Sequence, residues 1–186
     1  MTEKNFDIFI PARIDSSRLP QKHLLTINKT PLLKILVNRL RNSKKIRKII
    51  VCTTQNPSDD KLVEFLKKEK IEFFRGEEHD ILKRFLDASH YFKTDVIIDV
   101  EGDKIYTDPI FVDKIIDYME TSNIDFIIGN DNNSTFNPSN HLVHGFIPAG
   151  IKTSALEKIC KLKNSNNTET GYKEFFLLPN IFKTKF

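Results

Sequence analysis

The chain alternates short apolar runs with amphipathic stretches. Phe6–Pro11 reads as a strand, and Pro31–Asn42 as a helix with Leu32, Leu36 and Leu40 on one face. Lys45–Thr54 holds a second strand around Ile49-Ile50-Val51-Cys52. Asp59–Lys68 follows as a helix, with Ser58 as its predicted N-cap and Leu62, Phe65 and Leu66 turned inward. Ile71–Phe74 predicts a third strand, Asp80–Phe92 a helix and Asp95–Val100 a fourth strand. Pro109–Thr121 predicts a helix started by Asp108 and burying Val112, Ile115, Ile116 and Met119. Strands and helices alternating at this spacing predict an α/β fold, a mostly parallel sheet with helices on both faces in three αβα layers. The apolar stretches at 49–52 and 96–98 suit strands with no wet face.

Beyond residue 122 the pattern changes. Asp125–Ile128 predicts another strand, Asn130–Asn140 a polar exposed loop, and Phe146–Ile151 a strand bent at Pro148-Ala149-Gly150. Ser154–Lys161 reads as a helix capped by Ser154, and Lys163–Thr170 as a second polar loop. Tyr172–Phe186 is apolar and aromatic up to its end, from which a further, C-terminal segment is expected. The expected organisation is one domain over 1–186, with halves at 1–122 and 123–186.

Composition narrows the function. The 186 residues carry 29 Lys+Arg and 25 Asp+Glu, a net charge of 29 − 25 = +4, and the basic residues are dispersed rather than interleaved with aromatics. This argues against a general nucleic-acid surface. No apolar run approaches the roughly 20 residues of a membrane span, and the N-terminus lacks the features of a secretory signal, so no membrane partner is expected. Two unpaired cysteines, Cys52 and Cys160, provide neither a disulfide framework nor a zinc ribbon and fit a reducing, cytoplasmic setting.

Ligands of open parallel α/β sheets bind at the carboxyl ends of the strands. The first such end, Ile10-Pro11-Ala12-Arg13-Ile14-Asp15-Ser16-Ser17-Arg18-Leu19-Pro20-Gln21-Lys22, carries Arg13, Arg18 and Lys22. Forked guanidinium donors, an ammonium and serine hydroxyls suit a polyphosphate, although solvated loop charges would have the same composition. Neither GxGxxG nor GxxxxGK[ST] occurs in the chain, which weighs against a dinucleotide site and a P-loop. The fourth strand ends Asp99-Val100-Glu101-Gly102-Asp103. Asp103 lies where a carboxylate would face the same crevice and hold Mg2+ together with phosphate oxygens, the alternative being an ordinary turn aspartate. Asp99, inside an apolar strand, belongs to that site or pairs with an arginine. The five histidines are scattered; His90 reads as a half-buried packing residue, His141 and His144 as loop surface, and Cys52 as core.

The segments Ile10-Pro11-Ala12-Arg13 and Ser17-Arg18-Leu19-Pro20-Gln21-Lys22 together resemble the opening motif of the CMP-sugar synthetases. That cytidylyltransferase group includes the 3-deoxy-manno-octulosonate and acylneuraminate enzymes and the spore coat polysaccharide biosynthesis protein F branch. The likeness to that branch continues in register through Thr53-Thr54-Gln55-Asn56-Pro57-Ser58-Asp59-Asp60, Phe74-Arg75-Gly76, Asp80-Ile81-Leu82-Lys83-Arg84, Gly102-Asp103 and Thr107-Asp108-Pro109.

The resemblance implies a nucleotide-diphospho-sugar transferase fold of Rossmann-like type. It also implies Mg2+-dependent transfer of CMP from CTP to a sugar, expected to be an acidic sugar of a surface polysaccharide, and a homodimer, with 1–122 as the nucleotide-binding half and 123–186 as the half for the acceptor and dimerisation. By position, Arg13, Arg18 and Lys22 would hold the triphosphate and Asp103 the metal. Ala12 and Ser17 would approach the nucleotide, with Arg75, Gly76, Asp80 and Arg84 near it. Glu174 is the candidate for a second metal carboxylate.

The chain departs from the pattern at Gln21, where the family carries glycine, and at Lys104-Ile105-Tyr106. A glycine lost from a left-handed position costs about 1 kcal/mol. These departures and the short C-terminus keep an inactive nucleotide-binding or assembly module in view; an RNA-binding domain is a separate competing reading, disfavoured by the mild charge.

Overall fold

The structure, a computed structural model, describes residues 4–15, 19–129, 145–168, 172–178 and 180–185. Its strands are β1 (Phe6–Pro11), β2 (Thr26–Ile27), β3 (Thr30–Pro31), β4 (Lys48–Thr54), β5 (Glu72–Gly76), β6 (Val96–Asp99), β7 (Phe126–Ile128), β8 (Ala149–Lys152) and β9 (Thr184–Lys185). The helices are α1 (Leu32–Leu40), α2 (Asp60–Lys68), α3 (Ile81–Phe92), α4 (Pro109–Thr121) and α5 (Thr153–Leu162). Among the described residues the main sheet has seven strands in the order β5-β4-β1-β6-β8-β7-β9, and β2 and β3 form a separate hairpin. Strands β5, β4, β1 and β6 are mutually parallel, while β8 runs antiparallel to both β6 and β7.

Alternation along β1 sends Ile8 and Ile10 to one face and Phe9 to the other. The first face is covered by Leu33 and Leu36 of α1, Leu62 and Leu66 of α2 and Val112, Ile116 and Met119 of α4. The second packs Phe9, Ile50 and Ile97 against Leu82 and Phe85 of α3, Leu156 and Ile159 of α5 and Phe176. The expected three-layer, mostly parallel α/β fold is present. No helix among the described residues is long and apolar enough to cross a membrane.

Local chemistry fixes the helix starts. The Asp108 side chain accepts from the Ile110 amide at 2.8 Å, with Pro109 in the first turn, and the Asp80 side chain accepts from the Lys83 amide at 3.1 Å. Ser58 is not the cap of α2. Pro57 opens a short 3-10 turn over Pro57–Asp59, and the Asn56 side chain caps it by accepting from the Ser58 amide at 2.9 Å. Ser154 does not cap α5 either, because that helix begins one residue earlier, after Lys152, without a side-chain cap. Strand β8 starts at Ala149 rather than Phe146, since the Phe146 carbonyl accepts the Asp108 amide at 2.9 Å and so serves the start of α4. The predicted loop at Asn130–Asn140, with His141 and His144, lies outside the described residues.

Topology positions the crevice. After β1 the chain moves outward to β4 and β5, then returns across β1 to its other flank as β6. The loops leaving β1 and β6 therefore diverge from neighbouring strands, the arrangement that opens a ligand crevice at the carboxyl edge.

Candidate functional site

At this switch the loop after β1 meets the loop after β6. Lys22 Nζ contacts Asp103 Oδ2 at 2.7 Å, joining residues 81 positions apart. Both side chains stay accessible, at 20% and 38% relative exposure. Burial pushes the Asp103 carboxyl up, but the Lys22 hydrogen bond and the nearby Lys22 and Lys104 charges outweigh it and hold the group below the ordinary carboxylate range. The carboxylate is thus an anionic hard oxygen at the crevice, held by an exchangeable ammonium.

The loop after β1 is fastened by side chains that local pattern does not reveal. Asp59, 1% exposed, accepts from the Ile14 amide at 2.6 Å through Oδ1, and through Oδ2 from the Thr54 amide at 3.1 Å and the Thr54 hydroxyl. Ala12 is buried, its amide donating to the Cys52 carbonyl at 3.2 Å, and Arg13 follows it half-buried. Gln21 sits at φ 56°, ψ 18°, so the position where the family has glycine does require the left-handed region. Its carbonyl accepts the Leu24 amide at 2.8 Å, and its side chain accepts from Lys61 at 2.8 Å. Ser17 and Arg18 lie outside the described residues.

His23, one residue past Lys22, is 3% exposed, and its Nδ1 lies 3.3 Å from the Gly102 carbonyl oxygen. Burial, reinforced by the Lys22 charge, lowers its pKa to about 4, so the ring is neutral at pH 7 and Nδ1–H is the donor. A Cβ on Gly102 would come 2.7 Å from the His23 ring and 3.0 Å from the Pro11 carbonyl. Two consecutive residues of one loop, Lys22 and His23, thus engage two consecutive residues of the other, Asp103 and Gly102.

The remaining expected residues divide. Arg75 donates to the Thr54 carbonyl at 2.9 Å, the Asn56 carbonyl at 3.0 Å and Asp60 at 2.7 Å, so it locks the loop between β4 and α2. Gly76 closes that loop by accepting the Gln55 amide at 3.1 Å. Asp80 and Arg84, expected near the nucleotide, are engaged with groups of the protein. Asp80 is 5% exposed and caps α3, accepts from Thr168 at 2.9 Å and pairs with Lys163, because the second half of the chain packs over that helix start. Arg84 is 2% exposed and donates to the Glu78 carbonyl at 3.3 Å.

Glu174 is exposed on the 3-10 segment Tyr172–Leu177, and its neighbours make the contact with the end of β6. Lys173 Nζ lies 3.1 Å from Asp99 and 2.9 Å from Glu101, and the Tyr172 hydroxyl donates to Asp99 at 2.7 Å. Asp99 is therefore paired with a lysine and a tyrosine, not an arginine. Burial raises its carboxyl in spite of Lys173. The Glu101 carboxyl, which burial would raise, is brought below its ordinary range by Lys173. Cys52 is a core thiol, fully buried. His90 is exposed rather than half-buried and meets Glu157 at 3.0 Å, because it faces out from the α3–α5 seam.

Sequence comparison settles the family. The model of the family described as cytidylyltransferase matches residues 8–175. The chain belongs to the cytidylyltransferase family. It is 35% identical over 175 residues to an uncharacterized protein of Methanocaldococcus jannaschii, covering 94% of this chain and 68% of that one. It is 36% identical over 111 residues to the spore coat polysaccharide biosynthesis protein SpsF of Bacillus subtilis, covering 58% of this chain and 46% of SpsF. The chain therefore spans about half the length of that curated relative. The solved structure of a cytidylyltransferase from Leptospira borgpetersenii superposes with a TM-score of 0.82 at 27% identity, over 98% of this chain and 75% of that one.

Within this cytidylyltransferase, the lysine and aspartate that the family pattern names from two distant segments are in direct contact. Of the residues that brace the two loops, Asp59 stands inside the motif stretch 53–60 and His23 directly follows Lys22. Lys173, on the 3-10 segment Tyr172–Leu177, has no such mark in the sequence.

Proposed function

We propose that this chain transfers CMP from CTP to a sugar hydroxyl and releases pyrophosphate. The observation that carries the reading is the Lys22–Asp103 contact at the β1/β6 switch of a chain that belongs to the cytidylyltransferase family. A hydroxyl of the sugar attacks the α-phosphorus in line. The bond from that phosphorus to the bridging oxygen breaks, and the charge grows on the departing pyrophosphate. Such a reaction needs little protein covalent chemistry, so positioning and charge neutralisation dominate.

In this reading Lys22 leaves Asp103 for the phosphates, and Arg13 and Arg18 add forked donors to the same anion. Asp103 is the residue to hold Mg2+, and its ionised, accessible oxygen suits a hard cation. Among the described residues no cluster of three or more His, Cys, Asp or Glu is poised for a metal, so phosphate oxygens and water would complete the shell. When bound, the ion would supply Lewis-acid stabilisation of the phosphates. The acceptor we assign is an acidic sugar of a surface polysaccharide, and the name of SpsF supports the polysaccharide part of that reading.

A thermal-shift panel of CTP, UTP, GTP and ATP with and without Mg2+, followed by pyrophosphate release across a panel of acidic and neutral sugars, tests the proposal. A Tm rise strongest for CTP with Mg2+, and release with an acidic sugar, is expected. No response to any nucleotide would overturn the nucleotide reading, and binding without release across the panel would favour an inactive binding module.

A further inference from the structure

The geometry points to His23 as the positioning residue that keeps the Asp103 loop in register while Lys22 changes partners. This inference rests on the proposed nucleotide site. The Asp103 loop has few ties to the first loop. The Val100 amide donates to the Phe9 carbonyl at 3.0 Å, where the strand ends. Beyond it Lys173 holds Glu101 at 2.9 Å, Arg39 donates to the Thr107 carbonyl at 2.9 Å and the Asp108 amide donates to the Phe146 carbonyl at 2.9 Å, which leaves Gly102 and Asp103 between these anchors. Two links cross to the first loop beside the carboxylate, Lys22 to Asp103 and His23 to Gly102.

The first link cannot serve both purposes, because a lysine that moves to a phosphate lets the carboxylate go. The second is of another kind. A buried neutral imidazole has no ligand to leave for, its Nδ1–H has the Gly102 carbonyl as partner, and the glycine leaves room for the ring and no more. A site of this sort tolerates displacements of about 0.5 Å before its chemistry suffers. His23 touches neither reacting atom nor phosphate; it acts through the peptide of Gly102 on the next residue.

The test compares His23→Ala, His23→Gln, Gly102→Ala and the double variant His23→Ala/Gly102→Ala. In His23→Ala, the Mg2+ concentration giving half of the CTP-induced Tm rise should increase at least tenfold. The CTP response in EDTA should stay unchanged, and in turnover kcat should fall more than KM for CTP rises. His23→Gln, whose amide can still donate to the Gly102 carbonyl, should stay within about threefold of wild type. Gly102→Ala should match His23→Ala, and the double variant should be no worse than Gly102→Ala alone, because the ring that meets the new methyl is gone.

Hydrogen exchange of the free protein gives a reading independent of nucleotide. In His23→Ala the amides of Lys104 and Thr107 should exchange at least tenfold faster, with that of Val96 at the far end of β6 unchanged. An unshifted Mg2+ midpoint together with unchanged exchange would overturn the inference, as would a double variant whose cost is the sum of the two singles. Should His23→Ala not fold, His23→Gln and Gly102→Ala carry the comparison. A wild-type chain that ignores CTP would sink the proposed function instead, and exchange at Lys104 and Thr107 would then decide on His23 alone.

Discussion

Each end of the sheet carries an aspartate paired with a cation, and the two pairs are built differently. At the amino end Asp7 is fully buried in β1. Arg47 grips both its oxygens, at 3.0 and 2.5 Å, while the Thr94 hydroxyl donates at 2.5 Å and Arg47 also reaches the Phe92 carbonyl at 2.7 Å. At the carboxyl end Asp103 is more than a third exposed, and a lysine touches it at one oxygen. A forked guanidinium saturates and immobilises a carboxylate, whereas an ammonium on a flexible stem gives it up readily. The first pair ties α3, β1 and β4 together. The second leaves its carboxylate accessible, as the proposed exchange of partners requires.

Exchanging the roles of these pairs should separate stability from activity. Asp103→Asn should cut turnover about a thousandfold or more while Tm stays within a degree or two, because a partly exposed ion pair contributes at most about 1 kcal/mol. Activity within a few-fold of wild type, by pyrophosphate release, would make Asp103 an ordinary turn residue. Asp7→Asn should do the opposite. An amide in this fully buried position accepts at only one of the two oxygens that serve Arg47 and Thr94, while Arg47 itself is a third exposed. The change should therefore cost about 2 kcal/mol in denaturant unfolding, with kcat/KM per folded molecule unchanged.

The next effect is on pH dependence. His23 protonates at about 6.5 when unfolded and about 4 in the fold, so the unfolded chain binds the proton first. The stability from keeping this ring neutral is complete above pH 6.5 and is lost as pH falls towards 4, reaching roughly 3 kcal/mol. His23→Gln should flatten that slope in urea unfolding measured between pH 4 and 7, whereas Asp7→Asn should leave it in place. The smallest change comes from Gln21→Gly. Relief at φ 56° should add up to about 1 kcal/mol, offset by the lost Lys61 contact, and a stability drop would show that the side chain matters more than the backbone.

The contrast also explains what the sequence makes legible. Phe6–Pro11 and Pro109–Thr121 match their predicted bounds because period-2 and period-3.6 patterns, with Asp108-Pro109 as punctuation, are local signals. Left-handed Gln21 follows from one missing glycine in a recognisable loop. Lys22 and Asp103 could be nominated because motifs mark each segment, though no local pattern shows that they touch. The anchors are harder to foresee. Nothing around Lys173 announces that it answers the charge of Asp99 in β6, nor around His23 that a glycine 79 residues later leaves room for its ring. Conversely, Asp80 stands in a motif and also caps α3 and pairs with Lys163, because helix caps and phosphate contacts call for the same residue types.

The Asp99–Tyr172–Lys173 cluster has a consequence for how the molecule is made. Ribosomes add about 5–20 residues each second, so the acid in β6 emerges several seconds before the phenol and ammonium that answer it, 73 and 74 positions later. Until they arrive, the rim around β6 cannot close over its own charge. The β6 end of the proposed nucleotide site is thus set only once Lys173 has emerged, and a nascent chain probed by proteases should be cut there after β1 and β4 resist.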